Sequence, residues 1–208
     1  MSPEPLVTIS ASYGAGGSRV GPLLAERLGL PFAERVMYRG VADLVAGPLA
    51  EARREEPQVG RSLGQLVRQF AAGASEAAPV TEEADRIADE EFRRMNEEEI
   101  RGYVHGGGVI LGRAAAVVLR DVPHAVHVRM SGPIEARVEQ AMRVEDIDRD
   151  TARWRQATDD FARDAYVRHF YGLDPLDPAL YQLTLDSTRL PLTACVEAIA
   201  GAALASAS

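Results

Sequence analysis

The chain has 208 residues, a formal net charge of -8, and 46% hydrophobic and 26% charged residues, proportions of an ordinary globular domain long enough for one full-sized core. No apolar run is long enough to span a bilayer and the basic residues gather into no dominant stripe, so neither a membrane nor a nucleic-acid partner is expected. All 23 of its Lys+Arg side chains are arginines, which excludes Schiff-base chemistry and a lysine phosphate clamp and leaves planar guanidinium groups suited to bidentate phosphate contacts.

The opening MSPEPLVTIS lacks the basic start and apolar stretch of a secretory leader, and Cys195 has no second cysteine to pair with. Both features predict a cytoplasmic protein. Cys195 sits in an apolar C-terminal helical pattern, where a packed thiol is expected.

Leu6 to Ser10 is a β-prone run of branched residues, followed at once by a small-residue turn from Ala11 to Gly17. An amphipathic helix follows from about Ser18 to Leu28, with Gly29 placed as its stop. Residues 31–45 read as a brief extended piece leading into a second helix, and 62–72 as a further helix. From Thr81 to Val104 acids and arginines alternate at helical spacing around Ile87, Phe92, Met95 and Ile100, which predicts a solvated helix ended by Gly106 to Gly108. Val109 to Leu111 reads as a buried strand, Arg113 to Leu119 as helix, Ala125 to Met130 as strand, and Pro133 to Met142 as a helix capped by Ser131. Residues 143–170 are helical and dense in charge, Tyr181 to Leu185 is a last strand, and Pro191 to Leu204 a closing helix. This alternation predicts one α/β domain over 1–208, a parallel sheet with helices on both faces.

The segment Ser10-Ala11-Ser12-Tyr13-Gly14-Ala15-Gly16-Gly17-Ser18 carries the chemistry. Between a strand and a helix, such a turn can aim successive backbone N–H groups into an anion-binding hollow, to which the helix adds its positive end. Phosphate is the natural occupant. Against the pattern G-x-x-x-x-G-K-[ST], the loop keeps Gly16 and Ser18 but has Ala11 for the first glycine and Gly17 for the lysine. Arg19, two positions on, reaches either toward the phosphates or along the helix surface. A dinucleotide fingerprint does not fit, because Arg19 stands where its third glycine belongs. The histidines 105, 124, 127 and 169 show no metal-ligand spacing and read as structural. Trp154 reads as a packing anchor in preference to a base-stacking platform.

YGAGGSRVGPLLAERLGLPFAERVM resembles the opening of the cytidylate kinase-like family, whose own loop is similar to YGSGGREIG and also lacks the lysine. Met37-Tyr38-Arg39 resembles an element that helps hold the acceptor nucleotide, and Val109 to Arg113 resembles a strand-Gly-Arg segment on the acceptor side. Phe170-Tyr171-Gly172, Asp177 to Tyr181 and Leu183 to Ser187 resemble the family's closing motifs, with Asp186 in place of an asparagine.

The resemblance implies a P-loop nucleoside monophosphate kinase-like fold with an acceptor-binding helical region at about 34–104 and a helical lid at about 143–170. It implies ATP-dependent phosphoryl transfer to a nucleoside monophosphate or similar small acceptor, with Mg²⁺. Tyr13, Gly14, Ala15, Gly16, Gly17, Ser18 and Arg19 would hold the donor phosphates, Ser18 would also ligate the metal, and Glu34, Tyr38, Arg39 and Arg113 would bind the acceptor. Lid arginines, among them Arg149, Arg153 and Arg168, would join Arg19 in supplying the charge that the missing lysine does not. Two rival readings stay open. Gly17, Ala11 and Ala33, which stands where an acceptor aspartate is usual, favour a degenerate nucleotide-binding switch or scaffold. Alternatively, the acidic helix over 81–104 docks a partner. The acceptor's identity and the oligomeric state, including a homo-oligomer, are left open.

Overall fold

The structure, a computed structural model, describes residues 3–34 and 82–208. Five strands form one sheet: β1 (Leu6–Ala11), β2 (Phe32–Glu34), β3 (Gly108–Leu111), β4 (Ala125–Ser131) and β5 (Leu183–Asp186), in the order β2-β3-β1-β4-β5. Every pairing is parallel, with Leu6 opposite Gly108 on one side and Ala125 on the other. Parallel neighbours need crossover connections, and the helices that supply them cover both faces.

Because side chains alternate along a strand, β1 feeds two cores. Val7 and Ile9 point to one face, where α1 (Gly17–Leu28) and the last helix pack Val20, Leu24, Cys195 and Ile199 against Val128 and Met130. Leu6 points to the other, against Ile110, Ile100, Val118 and Leu119. Ile100 belongs to α2 (Glu82–Arg101), and Val118 to the short α3 (Ala115–Val118). Thr8, on that second face, forms a buried 2.8 Å hydrogen bond with Nδ1 of His127.

Three further helices complete the chain: α4 (Ile134–Glu145), α5 (Arg149–Tyr171) and α6 (Leu192–Ser206). Gly29 ends α1 in the left-handed region, with its N–H donating to the carbonyls of Ala25 and Glu26, the stop its sequence position announces. Cys195 is fully buried, as its apolar surroundings predict.

Several local readings are corrected. Ser131 does not cap α4: it is the last residue of β4, the helix opens at Pro133 without a side-chain cap, and Gly132 at φ +157° intervenes. The helix expected over 113–119 is confined to Ala115–Val118, because Arg113 and Ala114 lie in the left-handed region at φ 61° and 56°. Tyr181 does not open β5. It closes a 3-10 turn over Pro178–Leu180, and its hydroxyl donates to the Pro175 carbonyl at 2.8 Å. The charged stretch 143–170 is not one helix from its start: α4 runs to Glu145, Asp146 breaks it in the left-handed region, and α5 begins beyond the Asp148 cap. The element Met37-Tyr38-Arg39 and the helix expected over 62–72 lie outside the described residues.

Candidate functional site

At the C-terminal edge of the sheet, the loop between β1 and α1 has Gly14 and Gly16 in the left-handed region at φ +75° and +78°. Residues alternating between the two helical regions turn their N–H groups the same way, which makes an anion-binding hollow. What fixes the orientation here is the fate of the carbonyls. Tyr13 O accepts from Arg137 Nη1 at 2.6 Å, Gly14 O from Gln140 Nε2 at 2.9 Å, and Ala15 O from the Ser187 hydroxyl at 2.7 Å. Gly16 O caps α1 by accepting from the N–H groups of Arg19 and Val20. With the oxygens tied outward, the amides of Gly14, Gly16, Gly17 and Ser18 have no acceptor among the described residues. Ala15 N–H is spent on Ser12 O, and Tyr13 N–H on the Asp160 carboxylate at 2.8 Å.

The hollow admits no side chain at its glycines. A Cβ at Gly14 would overlap the Arg137 carbonyl, and one at Gly16 would lie 2.8 Å from Leu192. A Cβ at Gly17, where a phosphate-binding lysine would project, meets the methyl group of Ala11.

Arg137 organises the site, and no sequence motif marks it. It is 5% exposed and bridges three segments, donating to Gly132 O and Tyr13 O and pairing with Asp160 at 2.8 Å. One signal was available: Arg137 shares a face of α4 with the fully buried Val138 and Ala141, so a charge stands where the apolar pattern calls for a core residue. Asp160 receives Tyr13 N–H, Arg137 and Gln156, which joins α5 to the loop.

The loop opens into a cleft of about 830 Å³ between the sheet edge, α4 and α5. Tyr13, Gly14, Gly16, Gly17, Ser18 and Glu34 line it, while Arg19 is exposed and does not. Ala15 lies buried behind the loop. Arg113 is 6% exposed and turned away from the cleft toward α2, with Nη1 2.8 Å from Glu99. Arg149, Arg153 and Arg168 lie on the outer surface: Arg149 pairs with Glu135 and Glu139, Arg153 with Glu135 at 2.7 Å, and Arg168 with Asp174 at 2.8 Å. Among the described residues, the arginines on the cleft wall are Arg129, Arg137, Arg155 and Arg163. Trp154, expected as a packing anchor, is instead 47% exposed on the same wall.

Three described groups here titrate away from their ordinary values, among them Arg155, which burial lowers but its bonds to Glu145 and Tyr13 raise on balance. Burial, then the nearby Glu145 carboxylate, pushes the Tyr13 hydroxyl up to about 12. Burial, then the negative charge of Asp160, raises Asp164. Among the described residues no group of three or more His, Cys, Asp or Glu side chains is arranged to hold a metal ion. No described helix is long and apolar enough to cross a membrane.

A solved structure of an uncharacterized protein from Eubacterium ventriosum superposes on 97% of this chain and 99% of its own with a TM-score of 0.60 at 19% identity, a likeness of fold. A cytidylate kinase from Methanopyrus kandleri is 27% identical over 192 residues, covering 88% of this chain and 85% of that protein. A uronate isomerase from Corynebacterium glutamicum is 26% identical over 126 residues, but the chain spans only 24% of that protein's length. The model of the cytidylate kinase-like family matches residues 6–189, a stretch that begins with β1 and its loop and ends beyond the serine that ties Ala15 in place. The chain therefore belongs to the cytidylate kinase-like family, proteins built for kinase-type phosphoryl transfer.

Proposed function

We propose that this protein transfers the γ-phosphoryl group of ATP to a nucleoside monophosphate or a similar small acceptor. The observation that carries this is the loop of four amides, Gly14, Gly16, Gly17 and Ser18, that have no acceptor among the described residues and whose neighbouring carbonyls are tied away by Arg137, Gln140 and Ser187. Fixed donors that need no reorganisation are what a polyphosphate requires. The residues present fit both groups: the amides would hold the phosphates, and the Ser18 hydroxyl would help hold Mg²⁺, which would supply neutralisation of phosphate charge. Glu34 takes the acceptor side together with Tyr38 and Arg39, while Arg113, paired with Glu99 on α2, does not line the cleft.

Arg149, Arg153 and Arg168 act after α5 moves as a lid over the cleft, with Arg19 at the loop's edge. Their present partners are exposed carboxylates, and exposed ion pairs of this kind contribute only about 0–1 kcal/mol each. Exchanging Glu135 for a phosphate therefore costs little. In this reading the purified protein consumes ATP only with Mg²⁺ and an acceptor, and a panel of nucleoside monophosphates tests it by coupled assay. Turnover with none of them overturns it.

The Ala11 and Gly17 pair favours a second reading, a nucleotide-binding switch or scaffold without catalysis, because it removes a cation while leaving the amides intact. Thermal protection by ATP with no acceptor-dependent turnover distinguishes that reading. Ligand at 100 times its Kd adds about 2.7 kcal/mol.

A further inference from the structure

We infer that Trp154, with Val144, forms a stacking wall for the nucleobase of the nucleotide whose phosphates lie on Gly14 to Ser18. The inference rests on the phosphate-binding reading of the loop and extends it to the base.

Four large apolar side chains on the cleft wall are exposed, Ile134 at 51%, Val144 at 36%, Trp154 at 47% and Leu176 at 48%. A helix as polar as α5 has no folding reason to leave its tryptophan in water, since an indole this exposed gives up much of the burial that favours it in a core. The wall is continuous with the loop. Glu145, next to Val144, pairs with Arg155, next to Trp154, at 2.5 Å. This clamps the end of α4 to the start of α5. The Tyr13 side chain, adjacent to Gly14, lies beside that same pair, Glu145 raising its hydroxyl and Arg155 lowering it. From Gly14 the surface thus passes through Tyr13 and the Glu145–Arg155 pair to Val144 and Trp154. On α4, Gln140, which holds the Gly14 carbonyl, is four residues, about 6 Å, before Val144. A ligand seated by its phosphates on the loop has an apolar, aromatic surface within a nucleotide's reach. A planar heteroaromatic ring is the group that gains most from such a surface, because it stacks on an aromatic face without needing specific hydrogen-bond partners.

Trp154 is the chain's single tryptophan, so its fluorescence reports this site alone. ATP and inorganic tripolyphosphate are titrated separately, each followed by tryptophan emission and by thermal shift. Both are expected to protect the protein, and only ATP to quench or shift the emission. Trp154→Ala is expected to weaken ATP about five- to 150-fold while leaving the affinity for tripolyphosphate within about twofold, and Trp154→Phe to restore most of the loss. Protection by ATP with unchanged emission, or equal ATP affinity in Trp154→Ala, overturns the wall and leaves the phosphate site standing. If neither ligand protects, the phosphate site falls and the wall falls with it.

Discussion

A Cβ built at Gly17 lies 2.5 Å from the Cβ of Ala11 and 3.1 Å from Leu111 Cδ1, so positions 11 and 17 share the space of a single methyl group. A lysine at 17 can be seated beside alanine at 11 only if the backbone shifts. Gly17→Lys alone is expected to destabilise the protein by about 1–3 kcal/mol, the usual consequence of overpacking. That corresponds to several degrees in Tm at this chain length. Adding Ala11→Gly is expected to recover most of the loss, as thermal melts of the single and double variants will show. A single variant as stable as the parent contradicts the steric argument.

Arg137 holds Tyr13 O, Gly132 O and the Asp160 carboxylate together while almost wholly buried. Arg137→Ala leaves all three acceptors without that donor and opens a space, and is expected to cost about 3 kcal/mol. Asp160→Asn keeps the shape and removes the charge, so the double variant should cost clearly less than the sum of the two. Urea unfolding of the four proteins measures the coupling. Tripolyphosphate binding should weaken in Arg137→Ala, because the peptide at Tyr13 is no longer fixed.

Arg149 and Arg153 separate stability from catalysis. Both are about half exposed and pair with Glu135 on α4. Arg149→Ala and Arg153→Ala are each expected to change stability by less than about 1 kcal/mol. If α5 closes as proposed, each is expected to lower kcat by about 10²-fold or more, with a smaller change in KM. Steady-state kinetics on the preferred acceptor, with melts alongside, checks both halves. Unchanged kcat in both variants removes these arginines from the mechanism.

His127 makes stability depend on pH. Burial holds its imidazole below the ordinary value of 6.5, opposed only by a bond to the Leu119 backbone. The unfolded chain therefore takes up the proton first as pH falls. Stability from this group is complete above about pH 6.5 and is lost as the pH drops toward the depressed folded value, with a slope of at most about 1.4 kcal/mol per pH unit. His127→Gln should flatten that part of the pH–stability curve. Chemical denaturation between pH 5 and 8 supplies the comparison.

The sequence by itself determined what depends on neighbours along the chain. The alternation of Leu6 to Ala11, the glycines that follow and the period of Val20, Leu24 and Ala25 specify strand, tight turn and helix, because each requirement acts over a few residues. Repetition of that unit is enough to require a parallel sheet with covered faces. The cap at Gly29 was legible for the same reason, since only glycine enters the left-handed region without strain. Less of the sequence's account survives where a residue's conformation answers to distant packing, as at Arg113 and Ala114, whose left-handed backbone shortens a helix that local propensity would extend.

Only the tertiary structure decided which side chains make the loop a binding site. Tyr13 meets Arg137 across 124 positions of sequence, Gly14 meets Gln140 across 126, and Ala15 meets Ser187 across 172. No spacing rule links such residues. The same holds for the arginines: the sequence marked 143–170 as dense in charge, but the pitch of α5 determines that Arg155 and Arg163 line the cleft while Arg149 and Arg153 turn outward to Glu135. Glycines permit the loop's shape, and three side chains from β4–α6 territory enforce it, because a hydrogen bond is specified by direction and distance, which exist only after the chain has folded.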